Sequence, residues 1–166
     1  MKCLMELDSK RFGLTWEEKL AYLGFKFLPH AEGDNAKITL RHIFEPGMYI
    51  REMHIPAELL FIGRPHLIGH RCELVSGRIL LITEAAKTHM EAPAELFSNP
   101  GYQMCMYTKT DVVGRTYHPF DTLTVDPASF SQNTRLLEEQ IFGPVADQLA
   151  LGERVRQKIH AIEGKT

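Results

Sequence analysis

His66, His70 and Glu73 stand within eight residues of one another, in the run Gly-Arg-Pro-His-Leu-Ile-Gly-His-Arg-Cys-Glu-Leu-Val-Ser-Gly from Gly63 to Gly77. Imidazole and carboxylate groups crowded between turn-forming glycines and apolar β-type runs are what a divalent transition metal takes from a rigid scaffold. Ni, Fe, Mn and Zn all suit imidazole-rich ligation. Spacing limits how the set can work. In an unbroken strand, at about 3.3 Å per residue, His66 and His70 would be roughly 13 Å apart, too far to share an ion. Pro65, Gly69 and the β-rich flanks argue against a helix. The two imidazoles therefore converge only if the chain reverses between them, and Gly69 suits such a turn. A third metal ligand must come from elsewhere, with His118 the leading candidate and His54 or Glu73 behind it. Glu73 is an odd number of residues from His70, so a regular strand turns it to the opposite face.

Other side chains could serve the same hollow. Arg51, Arg64 and Arg115 carry guanidinium forks that suit a carboxylate or phosphate, against the alternative of solvated strand positions. Glu73 or Tyr102 could move protons as catalytic residues. Cys72 lies inside the histidine run and could be a soft ligand, although the burial habit of free cysteine favours a packed strand residue. His30, His42, His89 and His160 are isolated and read as surface or structural. The chain holds no phosphate loop, nucleophile elbow or paired catalytic carboxylates.

Composition bounds what can position these groups. At 166 residues, 44% apolar and 24% charged, the chain can build one compact core. A formal charge of −2 gives no electrostatic reason to expect nucleic acid. No apolar run approaches the roughly 20 residues that span a bilayer, and the N-terminus acquires acids too early for a signal peptide, so a cytoplasmic protein is expected. Cys3, Cys72 and Cys105 are widely spaced and form no disulfide framework.

The elements follow from pattern. Thr15-Trp16-Glu17-Glu18 fits a capping box, predicting a helix to about Leu23 that Gly24 stops. From Ala36 the period becomes two, and short strands are predicted at Ile38–Phe44, Met48–Ile55, Leu59–Ile62, Arg71–Val75, Arg78–Thr83, Thr88–Glu91, Tyr102–Thr108 and Val112–His118. Close spacing without crossover helices predicts an antiparallel β-sandwich or barrel. After Asp126 the pattern turns helical. Asn133-Thr134 caps one segment, Gly143-Pro144 interrupts, and Pro144 suits the first position of a second helix. The expected organisation is an N-terminal helical attachment over 1–35, a β-barrel over 36–125 and C-terminal helices over 126–166.

The stretch from Tyr49 to Ile82, with Glu-Ala-Pro-Ala-Glu-Leu-Phe-Ser-Asn-Pro-Gly at 91–101, resembles the cupins, and more narrowly the small cupin-like proteins of bacteriophages and prophages. The resemblance implies a mainly β fold, a single antiparallel jelly-roll β-barrel, with His66 leaving one strand, His70 entering the next, and a habit of homodimerisation. Aligned on Gly77, the first motif puts His70 where an acid is usual, His66 at the second histidine and Arg64 at the first. Met104 stands at the usual histidine of the second motif. The standard four-ligand metal site is thus not present, and a three-ligand site of His66, His70 and His118 takes its place as the expectation.

Two functions follow from that fold. In one, a histidine-lined cup holds a divalent metal, a small polar ligand or both, and the chemistry on it is left open. In the other, a non-catalytic phage accessory protein sequesters a ligand or binds a host or virion protein, in the host cytoplasm.

Overall fold

The computed structural model describes residues 13–24, 37–119 and 134–163. They belong to two compact units, Gly33–Gly143, and Met1–Glu32 together with Pro144–Thr166. The boundaries expected at 35 and 125 lie outside the described residues, as do Cys3, His30 and Asn133.

In the first unit, the period-two segment after Ala36 becomes β1 (Thr39–Glu45). It turns at Pro46-Gly47, where Gly47 takes a φ of +77° that glycine accepts without strain, into β2 (Met48–Ile55). The remaining strands are β3 (Leu60–Ile62), β4 (His70–Ser76), β5 (Arg78–Ile82), β6 (Lys87–Glu91), β7 (Ala94–Ser98), β8 (Cys105–Thr108) and β9 (Val112–Pro119). Every ladder is antiparallel. One sheet runs β1-β2-β9-β4-β7 and the other β3-β8-β5-β6. Among the described residues no ladder joins the two sheets, so of the expected sandwich or barrel the structure shows a pair of antiparallel sheets without barrel closure. Strand β7 was not among the predicted strands. It is five residues long, follows Pro93 and lies at a sheet edge, where a proline next to the ladder is tolerated.

The apolar core lies between the sheets. Ile55, Leu74 and Val112 from the five-stranded sheet pack with Ile79 and Met106 from the four-stranded one. Gly77 joins β4 to β5 at a φ of +92°, and a Cβ there would stand 2.3 Å from the Asp111 carbonyl oxygen. Glycine is therefore required both by conformation and by space. Helix α2 (Thr134–Phe142) belongs to this unit and places Leu137, Ile141 and Phe142 against Tyr49 and Ile68. It ends at Gly143, whose φ is +69° and whose N–H donates to the Glu139 carbonyl.

The second unit contains helix α1, residues 16–24, and helix α3 (Val145–Glu163). The capping box forms reciprocally: Thr15 N–H donates to Glu18 Oε2 at 2.9 Å and Glu18 N–H to Thr15 Oγ1 at 3.2 Å. Leu14, Val155 and Ile159 form its apolar cluster, and Lys158 pairs with Glu18. Among the described residues no helix is long and apolar enough to cross a membrane.

Candidate functional site

Antiparallel register assembles the site before any loop is considered. Tyr49 on β2 is the cross-strand partner of His118 on β9, and Arg51 the partner of Thr116. On the other side of β9, Thr116 faces Cys72 of β4, two residues beyond His70. Because side chains alternate, Tyr49, Arg51, Thr116, His118, His70 and Cys72 share the face that carries Ile55, Leu74 and Val112 into the core. One end of this inner face is apolar and the other is polar.

His66 joins from the loop between β3 and β4. Hydrogen bonds hold that loop on two sides: Gly63 N–H donates to Met104 O, Gly101 N–H to His66 O at 2.7 Å, and Leu67 N–H to Ile141 O of α2 at 2.6 Å. The reversal expected at Gly69 is spread over this loop, and His66 lies in it rather than at the end of a strand. Gly69 does not use a left-handed φ. A Cβ on it would meet the Phe97 ring at 3.0 Å, so its missing side chain makes room for Phe97.

The three imidazoles meet. Ring centroids are 3.6 Å apart for His66 and His70, 5.4 Å for His66 and His118, and 5.2 Å for His70 and His118. His118 is fully buried and His70 nearly so. Burial, with the neighbouring His70 and His118 and then Arg51 and Arg64, pushes the His66 pKa down to about 2. Burial, with His70 and Arg51, takes His118 down to about 3. His70 is lowered too, mainly by burial. All three are neutral at pH 7, so each ring offers one N–H and one lone pair. His70 Nδ1–H donates to the Ile68 carbonyl at 3.2 Å, which leaves Nε2 as the lone-pair nitrogen. His66 Nε2 and His118 Nδ1 are buried with no hydrogen-bond partner among the described residues.

Two of the three predicted arginines stand beside the histidines. The Arg51 guanidinium lies 4.5 Å and that of Arg64 4.7 Å from the centroid of the Phe142 ring, which itself is 4.5 Å from the His66 ring. Arg51 pairs with Glu138 at 3.2 Å, and Arg64 donates to the Gly143 carbonyl at 2.6 Å. Tyr49 is fully buried, with its hydroxyl 2.6 Å from His42 Nδ1, and burial raises its pKa to about 12. Cys72 on the same face is an inert thiol, its pKa pushed up to about 12 by burial.

Arg115 and Glu73 are not part of this cluster. They belong to the opposite face of the same sheet, in a cross-strand row Arg41, Glu52, Arg115, Glu73, Glu95. There Glu52, 4% exposed, accepts from Arg115 at 2.7 Å and lies 3.0 Å from His54, while Glu73 bonds the Tyr117 hydroxyl. The odd spacings, three residues from His70 to Glu73 and from Arg115 to His118, put them there. Tyr102 lies on the loop before β8, its N–H donating to Asn99 O, with a pKa raised by burial. His42, Tyr49, Thr116, Glu138 and Phe142 were not assigned to the site from sequence. Three of them could have been: His42, Tyr49 and Thr116 share the face of Arg51 and His118 by even spacing and register.

The donor types suit a transition metal, three neutral imidazoles with two unpartnered nitrogens. Their disposition does not. With bonds of about 2.1 Å, ligand nitrogens must spread around an ion, whereas His66 and His70 lie in ring-to-ring contact. Among the described residues no group of three His, Cys, Asp or Glu side chains is arranged to hold a metal ion.

No protein-family model matches the chain, and no curated protein matches it. Solved structures similar to it include a protein of unknown function from Vibrio parahaemolyticus (9% identity, 50% of this chain and 88% of that one, TM-score 0.46). An acetylacetone dioxygenase from Acinetobacter johnsonii is 15% identical over 49% of this chain and 59% of that one, with a TM-score of 0.42. A cupin-2 domain protein from Shewanella frigidimarina is 11% identical over 49% and 79%, with a TM-score of 0.41. Likeness this distant says nothing of what the chain binds or does.

Proposed function

We propose that this is a cupin-type small-molecule-binding protein whose ligand, a small polar compound, is held by His66, His70 and His118 together with Arg51 and Arg64. The observation that carries the reading is the set of buried nitrogens, without a hydrogen-bond partner among the described residues, on four of these side chains: Arg51 Nε, Arg64 Nε, His66 Nε2 and His118 Nδ1. Buried polar atoms are nearly always hydrogen-bonded, because leaving one unmet costs about 1–3 kcal/mol. Four in one cluster point to a polar molecule that supplies the missing partners. Neutral imidazoles can both donate to it and accept from it, and Phe142 provides an apolar wall.

A second reading, binding of a divalent transition metal at the three histidines, is favoured by the free nitrogens of His66 and His118 and requires the His66 ring to swing off His70. Native mass spectrometry and metal analysis of untagged protein separate the two. A retained small molecule that is lost in His118→Gln supports the first reading. Stoichiometric metal lost on substitution of His66 or His70 supports the second. Protein free of both, whose melting temperature no polar compound or divalent metal raises, removes the site.

A further inference from the structure

Among the described residues, the polar groups around Phe142 do not balance in charge. Arg51 and Arg64 bring two positive charges to the ring, and Glu138, paired with Arg51, brings one negative. The three imidazoles are neutral at pH 7, as is Tyr49. The like charges feel each other: burial lowers the Arg64 pKa and Arg51 lowers it further, against the opposing pull of Glu138. Arg64 has a neutral partner, the Gly143 carbonyl, for one terminal nitrogen. Its Nε, like that of Arg51, is buried and unmet among the described residues. An excess positive charge in a desolvated place, with guanidinium N–H groups unused, is stabilised best by an anion with acceptor oxygens.

We infer that the ligand is an organic carboxylate whose negative charge is taken by Arg51 and Arg64 beside Phe142, with the histidines facing the rest of the molecule. The inference rests on the small-molecule reading of the same cluster and adds the ligand's chemical class. A monoanion neutralises the excess of one positive charge, whereas a phosphate dianion would reverse it. Phe142 adds an apolar surface next to the carboxylate, which favours a carbon-bearing acid over a bare inorganic ion.

The test is a titration of the full chain, followed through the Nε–H resonances of the arginines, with acetate and benzoate. Acetamide, benzamide and inorganic phosphate serve as comparators. Carboxylates are expected to shift the Arg51 and Arg64 resonances and to bind at least tenfold more tightly than their amides. Arg64→Gln should abolish that preference. Glu138→Gln should sharpen it several-fold, a gain that a merely damaged fold would not produce. Urea midpoints of each variant establish that the protein tested is folded. Amides that bind as well as acids overturn the inference and leave the small-molecule reading standing. Phosphate binding more tightly than every carboxylate overturns the assigned class. No response to any probe, in protein that also retains no ligand when purified, overturns both.

Discussion

Tyr49 and His118 are Cα partners across β2 and β9, both fully buried, with ring centroids 5.9 Å apart. This pairing lies at the polar end of the inner face of the sheet, with Arg51 and Thr116 between it and the hydrocarbon of Ile55 and Val112. The Tyr49 hydroxyl finds its partner one strand further out, on His42 of β1. The edge strand is thereby tied to the cluster. Tyr49→Phe keeps the packing and removes that bond. The expected loss is about 1 kcal/mol in urea denaturation. A double-mutant cycle with His42→Gln should show the two losses to be coupled rather than additive. Independent losses would mean that the hydroxyl contributes nothing through His42.

Neutral buried histidines make a pH prediction whose sign is fixed. His66 and His118 have folded pKa values of about 2 and 3 against an ordinary 6.5, and His70 and His42 are lowered in the same sense. Below pH 6.5 the unfolded chain binds protons that the folded chain refuses, so stability falls as pH falls through that range. Above 6.5 these groups contribute no slope. Well below 6.5 each such group adds up to about 1.4 kcal/mol per pH unit. Comparing urea midpoints at pH 7.5 and 5.5 stays above the carboxylate range, where Glu52, whose pKa is lowered by hydrogen bonds from His54 and Arg115, would add its own loss. The double variant His66→Gln/His118→Gln should flatten the dependence. An unchanged slope would place the titrating groups elsewhere.

Much of this arrangement was legible in the residues, and what was not has physical causes. The odd step from His70 to Glu73 foretold that the carboxylate faces away. The same arithmetic applied to Arg115 and His118 would have removed that arginine, and applied to Arg51 and Ile55 would have kept that one. Convergence of His66 and His70 was implied by the cupin resemblance, and the spacing added only that it requires the chain to reverse between them. How the chain reverses was not legible. The turn needs no left-handed residue, and Gly69 is small because Phe97, on a strand that Pro93 concealed, packs onto it. Glu138 and Phe142 could not be foreseen, because α2 reaches β2 through tertiary packing that leaves no periodic trace in either segment.

The outer face of the same sheet offers a separation of stability from binding. Glu52 is buried beneath Arg115, His54 and Arg41, on the side of β2 opposite Arg51 and Tyr49. Glu52→Gln should cost about 1–3 kcal/mol, since it takes from the Arg115 guanidinium its closer charged partner and leaves only Glu73 at 4.0 Å. Affinity for any ligand of the histidine cluster should stay within twofold of the parent protein. A change beyond that in folded protein would mean the two faces of the sheet are coupled.

Two glycines distinguish conformational strain from lack of space. Gly47, in the β1-β2 turn, has a φ of +77° with nothing within 4 Å of where a Cβ would stand. Gly47→Ala should therefore cost only the left-handed backbone penalty, about 1–2 kcal/mol. Gly77 has a φ of +92° and would in addition bring a Cβ to 2.3 Å from Asp111 O and 2.9 Å from Val112 Cγ2. The neighbouring backbone cannot yield cheaply. Arg78 N–H donates to Thr110 Oγ1, and Lys109 N–H to Arg78 O, so β5 is fixed to the turn that carries Asp111. Gly77→Ala should cost at least about 3 kcal/mol or prevent folding. Urea denaturation of the two variants side by side checks the ordering. Equal losses would show that the β4-β5 turn can move away from Asp111, and that the strands framing the histidine cluster are less tightly fixed than their hydrogen bonds imply.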